Sequence, residues 1–212
     1  MVSVSEDYAV RRDTTKRLFD IVVSLVALVL LSPLLCALAL AVWLDSGWPV
    51  LFRQTRVGLY GHPFRLLKFR TMVVDAERLG ANVSPTDDPR VTRIGRFLRR
   101  WYLDELPQLV NVVKGDMSLV GPRPETPEFV AMFTREERRV LTVRAGIAGP
   151  STLAFMDEAD LLADADDAVE LYEQQILHER VRADLSYLDR RSLAYDVRLL
   201  LAQVAAILRR VR

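Results

Sequence analysis

IVVSLVALVLLSPLLCALALAVWL, residues 21–44, contains no charged side chain. About 24 residues of this kind suffice to cross ~30 Å of hydrocarbon as a helix. A cleaved signal peptide would be shorter and would end at a small-residue site. Here Trp43, Asp45, Trp48 and Pro49 follow instead. Ser32-Pro33 interrupts the run near its middle. Pro33 has no N–H to donate, and its ring clashes with the carbonyl of Val29. A kink is expected there, with Ser32 available to satisfy the freed group. Arg11, Arg12, Lys16 and Arg17 precede the run, and Arg53 and Arg56 follow it. Cytoplasmic flanks carry excess Lys and Arg. Basic residues on both sides suit a helix that enters, breaks at Pro33 and returns to the same face. A straight single span with a tolerated proline is the alternative.

The rest of the 212 residues is more polar, at 27% charged overall with a formal net charge of +1. That balance gives no basic excess for nucleic acid and no acidic excess for disorder. One cysteine, Cys36, excludes an internal disulfide, and with only His62 and His178 it cannot build a typical zinc cluster.

Residues 50–57 and 63–70 are mixed apolar and basic runs separated by Gly58-Leu59-Tyr60-Gly61, which predicts a β-hairpin. Residues 73–80 read as one or two helical turns, and 82–90 as a loop. Ile94, Phe97, Leu98 and Trp101 recur at helical spacing among Arg93, Arg96, Arg99 and Arg100. Such a basic amphipathic helix suits a membrane interface, or packing on a soluble core. A helix is predicted to start near Pro107, burying Leu109, Val110 and Val113 and ending at Gly115. A loop over 116–127 and a polar helix over 128–143 follow. Residues 157–170 are acidic and read as a solvated loop or helix face. Within them Asp164-Ala165-Asp166 imitates a metal-binding DxD, but no strand pattern surrounds it. Helices are predicted over 168–185 and 192–209, the second with Leu193, Val197, Leu200, Leu201, Val204 and Leu208 on one side. The fold class is therefore α+β and mainly helical. Residues 1–48 form an N-terminal segment with the apolar run, and 49–212 a second unit.

Three clusters carry chemistry. Lys68 and Arg70 end a predicted strand, Arg96 leads to the adjacent carboxylates Asp104 and Glu105, and Pro122-Arg123-Pro124 is a stiff turn presenting one arginine. Several cations suit a diphosphate. A carboxylate at a helix start is held ionised by the dipole. It can attack phosphorus or bind Mg²⁺, which takes one or two carboxylates plus substrate phosphates. No P-loop and no GxGxxG occurs. The plainer reading makes Asp104 and Glu105 helix caps and the arginines lipid-headgroup contacts, as in a membrane adaptor.

The ordered set Lys16-Arg17-Leu18-Phe19-Asp20, Ser32-Pro33, Phe52 to Gly58, Lys68-Phe69-Arg70-Thr71-Met72 and TRIGRFLRRWYLDELPQLVNVVKGDMSLVGPRPE (Thr92 to Glu125) resembles the bacterial sugar transferase family, the monotopic polyprenyl-phosphate phosphoglycosyl transferases. The likeness covers about residues 15–150. It implies a re-entrant hairpin broken at Ser32-Pro33, with both ends in the cytoplasm at the bacterial inner membrane. It also implies transfer of a sugar-1-phosphate from a UDP-sugar to undecaprenyl phosphate. Asp104 would be nucleophile and metal ligand with Mg²⁺, and Glu105 would act as a base or as metal support. Lys68, Arg70 and Arg96 would bind phosphate, and Pro122-Arg123-Pro124 would lie at the nucleotide. Residues 144–150, RAGIAGP, depart from the family's usual Arg-Pro-Gly-Ile-Thr-Gly-Leu, so no roles are carried past Pro150.

Overall fold

The computed structural model describes residues 14–76, 84–86, 88–163, 165 and 167–210. The apolar run forms two helices, α1 (Thr14–Leu30) and α2 (Ser32–Ser46), bent by 64° at their junction. Pro33 lies in the first turn of α2, where its missing N–H costs nothing. Ser32 Oγ donates to Val29 O at 2.8 Å, the carbonyl that Pro33 leaves without its usual donor. No single described helix is long and apolar enough to cross a membrane.

The hairpin forms as expected. Strands β1 (Leu51–Val57) and β2 (Pro63–Phe69) are antiparallel, with Leu51 opposite Phe69 and Val57 opposite Pro63. Helix α3 (Arg93–Arg100) is capped by Thr92, whose Oγ1 accepts from Gly95 N at 3.0 Å. Helix α4 (Gln108–Lys114) ends at Gly115, with φ 98°. Its buried side is Gln108, Leu109, Asn111 and Val112, whereas Val110 and Val113 are only half-buried. The polar Asn111 explains the shift. Its Oδ1 accepts from Leu67 N at 3.0 Å and its Nδ2 donates to Arg65 O at 2.8 Å, fastening α4 to β2.

Two expectations fail. The loop over 116–127 contains a strand, β3 (Ser118–Val120), paired in parallel with β4 (Gly146–Ala148). The helix over 128–143 is cut short. Helix α5 (Pro127–Ala131) stops, and a 3₁₀ turn over Glu137–Thr142 follows. Thr134 and Glu137 cap each other reciprocally, Thr134 N to Glu137 Oε2 at 2.8 Å and Glu137 N to Thr134 Oγ1 at 3.2 Å, which starts that new turn. Beyond it lie α6 (Pro150–Ala154), α7 (Glu158–Ala163), α8 (Ala168–Leu171), α9 (Leu177–Arg190) and α10 (Leu193–Arg210), with a π-helical segment joining α8 to α9. The helical reading of 73–80 falls partly, and Asp164 and Asp166 fall wholly, outside the described residues.

Three apolar clusters hold the molecule together. Leu38 and Val42 of α2 pack with Phe69 and Leu98. Leu66, Leu109, Val112 and Tyr187 form a second cluster, on which Phe19 and Val23 of α1 rest. Phe129, Tyr172, Leu177 and Val181 form a third. Both membrane-like helices are therefore tied to the rest of the protein. Arg17 donates to Val112 O at 2.7 Å and Val113 O at 3.0 Å, and Lys16 Nζ reaches Asp196 Oδ2 of α10 at 2.6 Å. Asp196 also accepts from Tyr187 OH at 2.7 Å. Along α10 the apolar stripe faces outward: Val197, Leu201, Val204 and Leu208 are exposed, while Asp196, Leu199 and Gln203 are buried. Val22, Val26, Val29, Leu30, Leu40, Trp43 and Leu44 are exposed on α1 and α2.

Candidate active site

Gly95 brings α3 against the end of the hairpin, since a Cβ there would lie 2.0 Å from Thr71 O. Tyr102 then takes a left-handed conformation, φ 55° and ψ 22°, which turns the chain into a 3₁₀ turn over Leu103–Glu105. That conformation costs a non-glycine residue about 1–2 kcal/mol. It is held by Tyr102 OH, which donates to Met156 O at 2.8 Å. The result is that Asp104 and Glu105 both lie buried, 8% and 7% exposed, in the wall of a cavity of about 1170 Å³.

Lys68, from β2, serves both acids. Its Nζ donates to Glu105 Oε1 at 2.6 Å and stands 3.9 Å from Asp104 Oδ2. Arg123 Nη1 lies 3.5 Å from the same Glu105 oxygen. The two carboxyls consequently behave differently. Burial would raise both, but Lys68 and Arg123 outweigh it at Glu105 and hold that carboxyl at about 2. At Asp104 burial wins and the pKa is raised; Lys68 and Arg99 oppose it, and the charge of Glu105 adds to it. The expected dipole stabilisation of Asp104 is therefore outweighed by desolvation, and Lys68 is the main group that keeps it ionisable.

The turn at Pro122-Arg123-Pro124 is fixed through its backbone. Arg123 N donates to Asp184 Oδ2 at 2.9 Å, Gly146 N to Pro122 O at 2.8 Å, and Arg56 Nη1 to Pro124 O at 2.9 Å. Asp184 also accepts from Ser151 N and Oγ, and burial pushes its pKa up to about 6. Arg70 and Arg96 line the same cavity but are placed differently from Lys68. Arg70 Nη2 donates to Ser46 O at 2.6 Å and Gly47 O at 2.7 Å, so it clamps the end of α2, while its Nε and Nη1 have no partner among the described residues. Arg96 is exposed at the rim and donates to Val91 O at 3.1 Å.

Several lining residues were not anticipated as site residues. Arg99 donates to Thr71 Oγ1 at 2.9 Å and Ser84 Oγ at 2.8 Å, and Arg56 pairs with Glu125 at 3.2 Å. Arg56, Arg99 and Glu125 stand inside motifs already conspicuous in the sequence. Glu158, Tyr172 and Arg180 had no such signal, since Glu158 sits in the acidic stretch read as solvated. In the structure it accepts from the buried Arg180, and Asp157 and Asp160 pair with Arg210 at 3.3 Å and 3.0 Å.

Among the described residues no group of three or more His, Cys, Asp or Glu side chains is placed to hold a metal by itself. A cation here would take at most Asp104 and Glu105 from the protein. That fits Mg²⁺, which completes its shell with water and substrate phosphate.

A buried acid pair beside Lys68 and Arg123, under a rim of arginines, suits a phosphorylated substrate. The chain is 39% identical over 196 residues to the UDP-N-acetylgalactosamine-undecaprenyl-phosphate N-acetylgalactosaminephosphotransferase of Aeromonas hydrophila, covering 91% of this chain and 43% of that one. It is 39% identical over 198 residues to the UDP-glucose:undecaprenyl-phosphate glucose-1-phosphate transferase of Escherichia coli, covering 89% and 39%. With the enzyme of the same name from Caulobacter vibrioides it shares 39% over 207 residues, covering 92% and 70%. The chain thus spans about two fifths of the length of the first two relatives. The family profile described as bacterial sugar transferase matches residues 11–210, motif residues and C-terminal helices alike, and the chain belongs to that family.

Proposed function

We propose that the protein transfers a sugar-1-phosphate from a UDP-sugar to undecaprenyl phosphate, releasing UMP, at the start of membrane glycan assembly. The observation that carries this reading is the Asp104–Glu105 pair, buried beside Lys68 and Arg123 in a cavity rimmed by Arg96, Arg99 and Arg100. The names of the relatives support the substrate classes.

An Asp104 carboxylate oxygen attacks the β-phosphorus of the donor. The bond from that phosphorus to the bridging oxygen breaks, UMP leaves, and an aspartyl phosphosugar remains. An oxygen of the lipid phosphate then attacks the same phosphorus and the Asp104 carboxylate departs. Dividing the transfer lets the aqueous and lipid substrates react in turn. Glu105, held at about 2, is a poor base near neutrality. Its role is to keep Lys68 and Arg123 in place, where they offset charge on the phosphoryl group. Asp104, with Glu105 in support, would hold Mg²⁺, and the ion would supply further positive charge to the diphosphate.

The α1–α2 pair is read as a re-entrant hairpin in the inner membrane, with the catalytic unit in the cytoplasm. Both ends fasten to the same body, through Arg17 at one end and Arg70 at the other. Helices of 17 and 15 residues rise about 26 and 23 Å. Set symmetrically with their 64° bend, they reach a depth of about 12–14 Å, less than half of ~30 Å of hydrocarbon. Trp48, exposed after α2, also lines the cavity, so the lipid phosphate meets Asp104 close to the membrane surface.

The test is UMP release from UDP-sugars with Mg²⁺ and undecaprenyl phosphate, together with intact-mass analysis of the donor-treated protein. Asp104→Asn should abolish both turnover and the added phosphosugar mass. Full activity in that variant would remove Asp104 as nucleophile.

A further inference from the structure

Part of the cavity wall, called the chamber below, carries polar groups that lack partners among the described residues. Thr126 Oγ1, Thr152 Oγ1 and Arg180 Nε are shut off from solvent with no hydrogen-bond partner among the described residues. Their residues are 4%, 4% and 5% exposed, and all three line the cavity. Unsatisfied buried groups of this kind are uncommon and call for an explanation. Thr126 occupies the N-cap of α5, where a threonine hydroxyl ordinarily accepts from the first-turn backbone, yet it makes no such bond. Thr152, within α6, likewise leaves its hydroxyl free of any backbone carbonyl.

The surroundings differ from the phosphate end. Arg56 is paired with Glu125 and Arg180 with Glu158, so the guanidinium charge is already met. Tyr172 lies against Phe129, ring centroids 4.8 Å apart, and its hydroxyl is 3.5 Å from Arg180 Nη1. A charge-balanced chamber, dense in donors and acceptors and walled by aromatic rings, is poorly suited to a further phosphate and well suited to hydroxyl groups on a ring. It lies next to the reacting end, because Arg123, 3.5 Å from Glu105, also feels the charges of Glu158 and Glu125.

We propose that this chamber holds a hydroxylated ring of the donor, and that the Thr126 and Thr152 side chains rotate to bring their enclosed hydroxyls, together with Arg180 Nε, onto the hydroxyls of that ring. The inference rests on the UDP-sugar reading above. The ring is either the transferred pyranose or the ribose of the nucleotide, and one experiment separates them.

Thr126→Val, Thr152→Val and the double variant are prepared as full chains in nanodiscs with Mg²⁺ and undecaprenyl phosphate. UMP release is followed from UDP-glucose, UDP-galactose and UDP-N-acetylgalactosamine, with added UMP as inhibitor. Each single variant should raise KM for the preferred donor about three- to tenfold, the worth of one neutral hydrogen bond. A transferred sugar in the chamber predicts, in addition, a changed order among the three donors and an unchanged inhibition constant for UMP. Ribose predicts that KM and the UMP constant rise together, with the order kept. Melting temperatures without donor should hold or rise, because no internal bond is lost. Unchanged KM, donor order and UMP inhibition in the double variant would overturn the inference, and so would a fall of several degrees in melting temperature, which would assign the hydroxyls to the fold. Wild-type protein that releases UMP from no UDP-sugar would end the transferase reading and this inference with it. An active wild type with indifferent valine variants would end the inference alone.

Discussion

Replacing Gly95 by alanine tests whether the site is set by backbone contact between α3 and the hairpin. The added Cβ would lie 2.0 Å from Thr71 O, 2.7 Å from its carbonyl carbon and 2.8 Å from its Cα. Ordinary contact begins at 3.4 Å, so the helix must retreat by about 1.4 Å. Backbone cannot rotate aside as the tip of a long side chain can. Two bonds span this joint, Thr92 N to Thr71 O and Arg99 Nε to Thr71 Oγ1, each at 2.9 Å. Such a retreat takes both beyond hydrogen-bond range. Overpacking costs about 1–3 kcal/mol and the two bonds about 1 kcal/mol each. Together that is a loss of about 3–5 kcal/mol, or roughly 10 °C in melting temperature for a chain of this size. Turnover should fall by about 10²-fold, since Asp104 follows α3 by one turn and an ångström of misplacement costs about that much. Thermal unfolding in nanodiscs and UMP release measure the two effects. Wild-type melting temperature and rate in Gly95→Ala would refute the claim that this contact positions the acids.

Lys68→Met should move the acid limb of the UMP-release profile to higher pH, because Asp104 loses its strongest opposing charge and its already raised pKa climbs further. A uniform drop in rate with an unmoved limb would contradict that account. Cys36, the only cysteine and exposed on α2, should react with a lipid-soluble maleimide and resist a membrane-impermeant one from either face. Rapid labelling by the impermeant reagent would end the re-entrant reading. Asp88 is held at about 2 by hydrogen bonds from Arg90. A depressed carboxyl lends stability above its unfolded value, 3.8, and loses it as pH falls through about 2. Wild-type protein should therefore lose stability between pH 4 and pH 2 more steeply than Asp88→Asn, as followed by tryptophan fluorescence; equal slopes would be evidence against the Asp88–Arg90 bond.

Elements written in local chemistry were legible in the sequence. The hairpin followed from two glycines between apolar-basic runs, and the α1–α2 break from Pro33 with Ser32 beside it. Asp104, Glu105, Lys68 and Arg123 were singled out through their motifs, and the structure brings them within a few ångströms of one another. Features that depend on distant partners were not legible. Strand β3 is three residues long, and its pairing with β4 depends on the close approach of Gly121 and Gly146, which no local pattern announces. The outward apolar stripe of α10 and its buried Asp196 follow from Lys16 and Tyr187, far off in sequence. Glu158 looked solvated because its partner, Arg180, is 22 residues away. The turn after Thr134 has a local signal, a threonine three residues before a glutamate, and the helical reading of 128–143 runs past it.

The pairing of Lys16 with Asp196 has a consequence for how the molecule is made. These residues stand 180 positions apart, and Asp196 is fully enclosed. While the ribosome is still adding the segment that carries Asp196, the ammonium at the entrance of α1 has Asp20 of the same helix beside it, 3.6 Å away. What forms late in synthesis is therefore the tie between the first helix and the last, whereas the Arg17 contacts of α1 with α4 need only the first 113 residues.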